Sequence, residues 1–224
     1  MRKKLYIFGT QNFAEMCHHF FTGDSGYDVA GFTVDAQYLD RSSFCGLPVI
    51  AYEEFRKTVR PEDADVFVAV GVAKINTLRA AKVAQLQQDG YRLASFVSSS
   101  SPVGRDLVVG PNTMIMDHVL IHPQVRIGAD TVIWTASRIA LKVRIGEHCW
   151  ITSAIIGDSA VIGDYSFLGL NATVAPFVQV GSHNLIGAGA VILQNTKDYA
   201  VYRGPRSKPS PVSSLRIRNI RLIH

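Results

Sequence analysis

Three histidines carry the chemistry of a proton carrier: His118, His122 and His148. An imidazole titrates near neutral pH, so it can take a proton from an attacking group and return it to a leaving one. Each also has a plainer reading, as a solvated or packed residue at a turn. His118 and His122 are close enough in sequence to share a zinc ion. No acidic or glutamine partner set accompanies them, so metal ligation is set aside. A second constellation is polar. Gly9, Thr10, Gln11 and Asn12 follow one apolar run, Asp35 ends another, and Gly71 and Lys74 follow a third. Backbone and side-chain amides in such loops can hold a nucleotide, and a carboxylate can accept from a ribose or a base. A dinucleotide fingerprint needs three glycines after the first strand. Here only Gly9 stands in that loop, which argues against NAD or FAD.

The elements that must position these residues change character along the chain. Residues 3–97 alternate strand and helix signals. "KLYIFG" reads as a buried strand, followed by a helix from about Phe13 to Phe21 with Asn12 as its cap and Gly23 beyond it. "YDVAGFTVD" reads as a second strand, "GLPVIAYEEF" as a strand and helix, and "ADVFVAVG" as the most apolar strand. "INTLRAAKVAQLQQDG" has helical periodicity with Gly90 as its stop, and "YRLASFVS" is expected to close the set. Such alternation predicts a parallel sheet with covered faces, and ligands in these sheets lie beyond the carboxyl ends of the strands.

From Val109 the period becomes six. Aliphatic residues recur from Val109 through Ile115, Ile121 and onward to Ile192, with a single step of five between Ile151 and Ile156. The next residue is often glycine or alanine. This is a hexapeptide repeat, in which three hexapeptides form one triangular coil and the aliphatic side chain points inward. Coils of this kind stack as solenoids. His122 precedes Ala140 by 18 residues, so the two are expected to stack on one corner. Trp134 and Trp150, beside inward positions, are expected in coil packing or contacts between subunits.

With these two units in hand, the chain resembles the sugar acyltransferases of the sialic acid O-acetyltransferase type, including the N-acetyltransferases of nucleotide-linked amino sugars. The resemblance rests on "KLYIFGT…GFTVDAQ…GLPVI…VFVAVG" joined to hexapeptide coils and covers roughly residues 3–208. It implies a left-handed parallel β-helix, a homotrimer, and acetyl-CoA or another acyl-CoA as co-substrate in grooves between subunits. The N-terminal sheet would hold the nucleotide part of the sugar. "YRGPRSK" resembles the family's closing "GxPAK" segment, which implies that Gly187, Gly204, Arg206 and Lys208 lie near the coenzyme. The family's catalytic histidine falls on Leu141, and the acidic residue that often follows falls on Lys142. Neither can serve as the original base. His122 is the first substitute, His148 the second, and His118 a third. A positioned base contributes about 10²–10⁴ in rate. A hydroxyl acceptor needs it more than an amine, because amines titrating near 8 are partly neutral at pH 7. The loss therefore favours N-acylation over O-acylation, and the resemblance implies a place in surface-glycan precursor synthesis. A non-catalytic trimeric paralogue, binding a nucleotide sugar or serving as a scaffold, is the alternative.

Composition fits this division. Hydrophobic residues make up 47% and charged residues 18% of the 224, as in a globular protein with a real core. The net charge of +5 resides in the tail. Arg203, Arg206, Lys208, Arg216, Arg218 and Arg221 follow the last acidic residue, and setting them aside leaves 17 basic against 18 acidic residues. A nucleic-acid-binding face across the fold is not expected. No apolar run reaches a membrane span, and three scattered cysteines suggest reduced thiols in the cytoplasm. The expected organisation is a Rossmann-like α/β domain over 1–98, a β-helix over 99–208 and a basic tail over 209–224. The end of that tail is expected to form a capping strand or helix.

Overall fold

A computed structural model describes residues 2–209 and 211–216. The N-terminal unit is built on strands β1 (Lys3–Phe8), β2 (Tyr27–Val34), β3 (Ser43–Phe44), β4 (Leu47–Ala51) and β5 (Ala64–Val68). Their order is β3-β4-β2-β1-β5, all parallel except the β3–β4 hairpin. Helices α1 (Asn12–Gly23), α2 (Tyr52–Thr58) and α3 (Thr77–Gln88) connect and cover them. The strands are short apolar runs because both faces are buried; every residue of β5 is inaccessible.

Two local expectations need correction. Asn12 is the first residue of α1 rather than its cap; Gln11 occupies the cap position, and no side chain caps the helix. "YRLASFVS" adds only one bridge to the sheet, Leu93 to Val66, and its Phe96–Val97 instead pairs with Met114–Ile115 of the coils. The segment carries an apolar run for each unit, and runs so short do not announce their partner.

Beyond it the chain winds as a left-handed parallel β-helix, a three-faced prism of two-residue rungs. Face A holds Val108–Val109, Arg126–Ile127, Arg144–Ile145, Val161–Ile162 and Gln179–Val180. Face B runs from Phe96–Val97 to Val201–Tyr202, and face C from Leu120–Ile121 to Val191–Ile192. The second residue of nearly every rung points inward, and Ile115, Ile133, Ile151, Ile156 and Ile186 are fully buried. Rungs pair 18 residues apart until the five-residue step, after which Ile139 pairs with Ile156. The turns explain the small residues. A Cβ on Gly128 would stand 2.6 Å from the backbone of Gly146 one coil below. Each turn also holds one residue in the left-handed region, including Asn112, His118, Asp130, Lys142 and His148, at φ between 54° and 59°.

The N-terminal unit docks on face B. Phe13 of α1 packs on Trp134 and Trp150, with ring centroids 6.5 and 4.9 Å away, and Met114, Val132 and Phe96 complete the contact. The tryptophans therefore join the two units, a role the sequence reading had assigned to coil or subunit contacts. The tail expected as a cap falls mostly on 217–224, outside the described residues.

All three cysteines are free. Burial pushes the Cys149 thiol up to about 12 and raises Cys17 well above its usual value. Burial and the nearby Glu15 carboxylate raise Cys45 as well, but it stays partly accessible. Iodoacetamide at pH 8 should therefore modify Cys45 first, with Cys17 and Cys149 reacting only after denaturation. Peptide mass spectrometry checks this, and early alkylation of Cys149 would contradict the packing of the prism.

Candidate functional site

The carboxyl ends of β1, β2 and β5 open into a crevice of about 470 Å³. Gly9 makes the turn after β1 at φ 127°, and any Cβ there would lie 2.8 Å from the Ala69 carbonyl oxygen. Thr10 and Gln11 follow on the same wall, and Asp35 faces them from the end of β2. These four expected residues are brought together. Asn12, Gly71 and Lys74 do not line the crevice. Asn12 turns away with the exposed side of α1, and Gly71 and Lys74 belong to a turn that precedes α3. The opposite wall comes from α3: Leu78, Lys82 and Gln85. Lys82 Nζ donates to Asp35 Oδ1 and Gln85 Oε1, each at 2.6 Å, and sits 4.7 Å from the Phe8 ring centre. Glu53 Oε2 accepts the Ala36 N–H at 3.0 Å and fixes the loop after β2. The crevice thus holds one cation and one carboxylate in mutual neutralisation. That set can exchange the internal ion pair for a phosphate and a hydroxyl donor.

The three histidines stand on three different edges of the prism. His118 follows a face B rung, His122 a face C rung, and His148 a face A rung. They cannot act at one centre within a chain. His118 is exposed, with Asp117 Oδ2 4.0 Å from its ring. His122 is exposed and lines a groove of about 250 Å³ with Leu120, Arg138, Ala140, Ile155 and Gly157. Its backbone N–H donates to Ile139 O at 3.0 Å, so it lies beside Ala140, as the 18-residue spacing predicts. Leu141 is on this same C/A edge, and its N–H donates to Asp158 Oδ1 at 3.0 Å. Of the three, only His122 shares an edge with Leu141. Asp158 is a carboxylate that the sequence reading missed. Its signal was the 17-residue offset from Leu141, which requires the short step to be counted.

His148 belongs to a different structure. Its Nδ1 is 2.9 Å from Asp130 Oδ2, and its ring stacks on Tyr165, followed by His183 and Tyr199 at about 4.7 Å intervals. Asp130 Oδ1 accepts from Arg79 Nε at 2.8 Å and Asn112 Nδ2 at 2.7 Å. Arg79, Asp130 and Asn112 are fully buried. Asn112 Oδ1 accepts the Val68 N–H at 2.7 Å and so completes the edge of β5. Arg79 also donates to Asp130 O at 2.9 Å and lies 5.3 Å from the Trp150 ring centre. The His148 imidazole is thus oriented by a carboxylate at the seam between the units, away from Leu141. Asn112, Asp130 and His148 recur every 18 residues, a signal present in the sequence once the coil length is known.

Gly187 and Gly204 meet on the B/C edge of the last coils, where Gly187 N–H donates to Tyr202 O at 2.7 Å. Arg206 and Lys208 continue from there and are exposed. Face C separates these residues from His122. Among the described residues, no three His, Cys, Asp or Glu side chains are arranged to hold a metal ion. Nor is any helix long and apolar enough to cross a membrane.

Residues 159–194 match the bacterial transferase hexapeptide family (six repeats). The acetyltransferase domain of PglB from Neisseria gonorrhoeae FA1090 superimposes with a TM-score of 0.79 over 93% of this chain and all of that one, at 21% identity. The PerB structure from Caulobacter crescentus, in complex with CoA and GDP-perosamine, gives 0.80 over 90% of this chain and 94% of its own, at 23% identity. These likenesses establish that the whole two-unit fold is shared. Among curated sequences, the acyl-[acyl-carrier-protein]–UDP-N-acetylglucosamine O-acyltransferase of Burkholderia mallei (strain SAVP1) is 24% identical over 115 residues. That match spans 48% of this chain and 44% of the relative's length. The resemblance to hexapeptide sugar acyltransferases read from the sequence is borne out in fold and repeat.

Replacing Arg79 with Leu should cost about 3–5 kcal/mol, because it leaves the Asp130 carboxylate buried without its main partner. Urea denaturation measures this. The double variant Arg79→Leu/Asp130→Leu should recover part of the loss; no loss in the single variant would contradict the buried pair.

Proposed function

We propose that this protein is an acyl-CoA-dependent N-acyltransferase, most simply an acetyltransferase, acting on a nucleotide-linked amino sugar. The observation that carries the reading is the joining of a crevice lined by Gly9, Thr10, Gln11, Asp35 and Lys82 to hexapeptide coils. PerB shares the two-unit fold over nine-tenths of the chain, and its structure holds CoA and GDP-perosamine. In this reading the crevice takes the nucleotide. Asp35 accepts from a ribose or base, and Lys82 transfers from Asp35 to a phosphate oxygen. The coenzyme lies along the coils, with Gly187, Gly204, Arg206 and Lys208 toward its phosphates.

The arrangement of edges bears on assembly. The N-terminal unit sits on face B, whereas His122 and Leu141 lie on the C/A edge opposite it. A crevice and a C/A edge of one chain do not face each other. A homotrimer would let the crevice of one subunit deliver its sugar to the edge of another.

The reaction itself asks little of a base. A neutral amine attacks the thioester carbonyl, a C–N bond forms, the C–S bond breaks, and the thiolate leaves while the amine gives up one proton. Leu141 cannot receive that proton. His122, beside Ala140 and next to the Arg138 cation, is the group on this edge that can. Positioning supplies much of the remaining acceleration.

The second reading is a non-catalytic paralogue that keeps the trimer. It is favoured by Leu141 itself and by the five-residue step from Ile151 to Ile156, which shortens the turn between faces B and C to residues 152–154.

Calorimetric titration with acetyl-CoA should show saturation between ~1 µM and ~1 mM. Incubation with nucleotide-linked amino sugars should yield a product heavier by one acetyl group in mass spectrometry. His122→Ala should then lower kcat at pH 7 by about 10²-fold, the low end of what a positioned base contributes, with acetyl-CoA binding retained. Saturable binding without any transfer supports the paralogue, and absence of binding at millimolar coenzyme removes acyl-CoA chemistry altogether.

A further inference from the structure

We infer that Arg126, Lys142 and Arg144 form an anion-binding site on face A that takes a phosphate or diphosphate group. The anion site itself does not depend on the acyl-transfer reading, whereas the choice of which substrate supplies the phosphate rests on it. Arg126 and Arg144 are the outward residues of adjacent rungs, paired directly in register. Neighbouring strands lie about 4.8 Å apart, so two guanidinium groups leave the sheet side by side. Lys142 joins them from the turn just before Arg144, held at φ 59°. With Asp106 and Gln124 they line a cavity of about 390 Å³.

Like charges placed directly opposite in a sheet repel, and the chain usually avoids this. Arg56 pairs with Asp89, Arg60 with Asp63, Lys82 with Asp35, and Arg92 with Asp65. Among the described residues, Arg126, Lys142 and Arg144 have no ion pair. Asp106, the carboxylate lining the cavity, makes no ion pair with them and offsets only one of the three positive charges. Both oxygens of Asp106 accept the Gln124 N–H, each at 3.0 Å, and bind the carboxylate to the turn. Three exposed cations converge on one concavity whose carboxylate is already engaged.

Guanidinium groups present donors in a planar fork that matches phosphate oxygens, and a pair stacked at strand spacing offers two such forks to one diphosphate. Lys142 adds a compact charge at the side. The position also gives the substitution at Leu141–Lys142 a purpose. Leu141 leaves the C/A edge without a base at that position, and Lys142 beside it supplies the cation that completes the cluster. Two sources share this chemistry: the diphosphate of a nucleotide sugar and the phosphates of a coenzyme.

The probe is inorganic pyrophosphate, titrated calorimetrically into the full chain at low salt. We expect one saturable site per chain. Arg126→Gln/Arg144→Gln should weaken it by at least tenfold, and Lys142→Gln by roughly tenfold. Lys82→Gln, in the crevice, should leave this site unchanged. In the absence of ligand, Arg144→Gln should keep or raise Tm, because it relieves a like-charge contact. Pyrophosphate should raise Tm more in the unmodified protein than in the double variant. Light scattering of each variant establishes whether assembly is preserved. If the double variant alters assembly, Lys142→Gln decides.

Competition then separates the sources. Displacement of pyrophosphate by GDP or UDP but not by CoA assigns the site to the nucleotide sugar, and the reverse assigns it to the coenzyme. Absence of pyrophosphate binding at millimolar concentration overturns the proposal. So does binding that survives the double variant and vanishes in Lys82→Gln. So does a double variant that binds as before. Acetyl-CoA titration of the same samples reports on acyl transfer separately, so either reading can fail while the other stands.

Discussion

The buried pair between Arg79 and Asp130 is the constraint on which the two-unit architecture depends. A guanidinium and a carboxylate without access to water are tolerable only when nearly every donor and lone pair is answered. Here the answers come from both units. Arg79 belongs to α3 of the sheet domain and Asp130 to a turn of the second coil, with Asn112 and His148 from the turns above and below. Satisfying one carboxylate therefore fixes α3 against the prism and closes the open edge of β5 through Asn112. Since α3 also supplies Lys82, the same pair sets the far wall of the crevice. One turn of helix separates the residue that joins the units from the residue that faces the crevice.

The prism translates sequence position into direction. Residues 18 apart share an edge, and residues six apart lie on successive edges. The three histidines differ by intervals that send them to three edges, so their similarity as bases conceals different surroundings. His148 is held by a carboxylate and a ring stack, His118 faces solvent, and His122 lies in a groove with Arg138. The C/A edge gathers Leu141, His122 and Asp158, and the cationic concavity of face A lies immediately beyond it. The later coils expose apolar groups such as Phe177, Val191 and Leu193.

Much of the fold was legible because its signals repeat. Inward aliphatics every six residues cannot be read as another architecture, and the short step at Ile151–Ile156 was visible to the residue. The alternation of the first unit was equally plain. What was hidden depended on long-range partners. The run "YRLASFVS" does not reveal that it divides between two units, and Asn12 looks like a cap until Gln11 takes that place. Arg79 and Lys82 read as ordinary polar residues of an amphipathic helix, although one is fully buried and the other is held in an ion pair. The crevice was recovered only on the walls made by strand ends, because the α3 wall has no motif. The cationic cluster was missed because Arg126, Lys142 and Arg144 are separated by 16 and 2 positions. Only the coil geometry makes such spacings adjacent.

The rungs also govern how the chain can reach this structure. Each pairs with another 16 to 18 residues away, so every new coil closes a loop of nearly constant length and incurs a nearly constant entropy loss. Growth by such equal steps is fast once a first coil exists and slow before it, because a lone coil has nothing to stack on. The sheet domain removes that difficulty at one end only. Phe96–Val97, the continuation of its last segment, is already a rung, and Phe13 waits above the place where Trp134 and Trp150 will settle. The prism therefore has a template at its amino-terminal end, and winding from that template would follow the order in which a ribosome releases the chain.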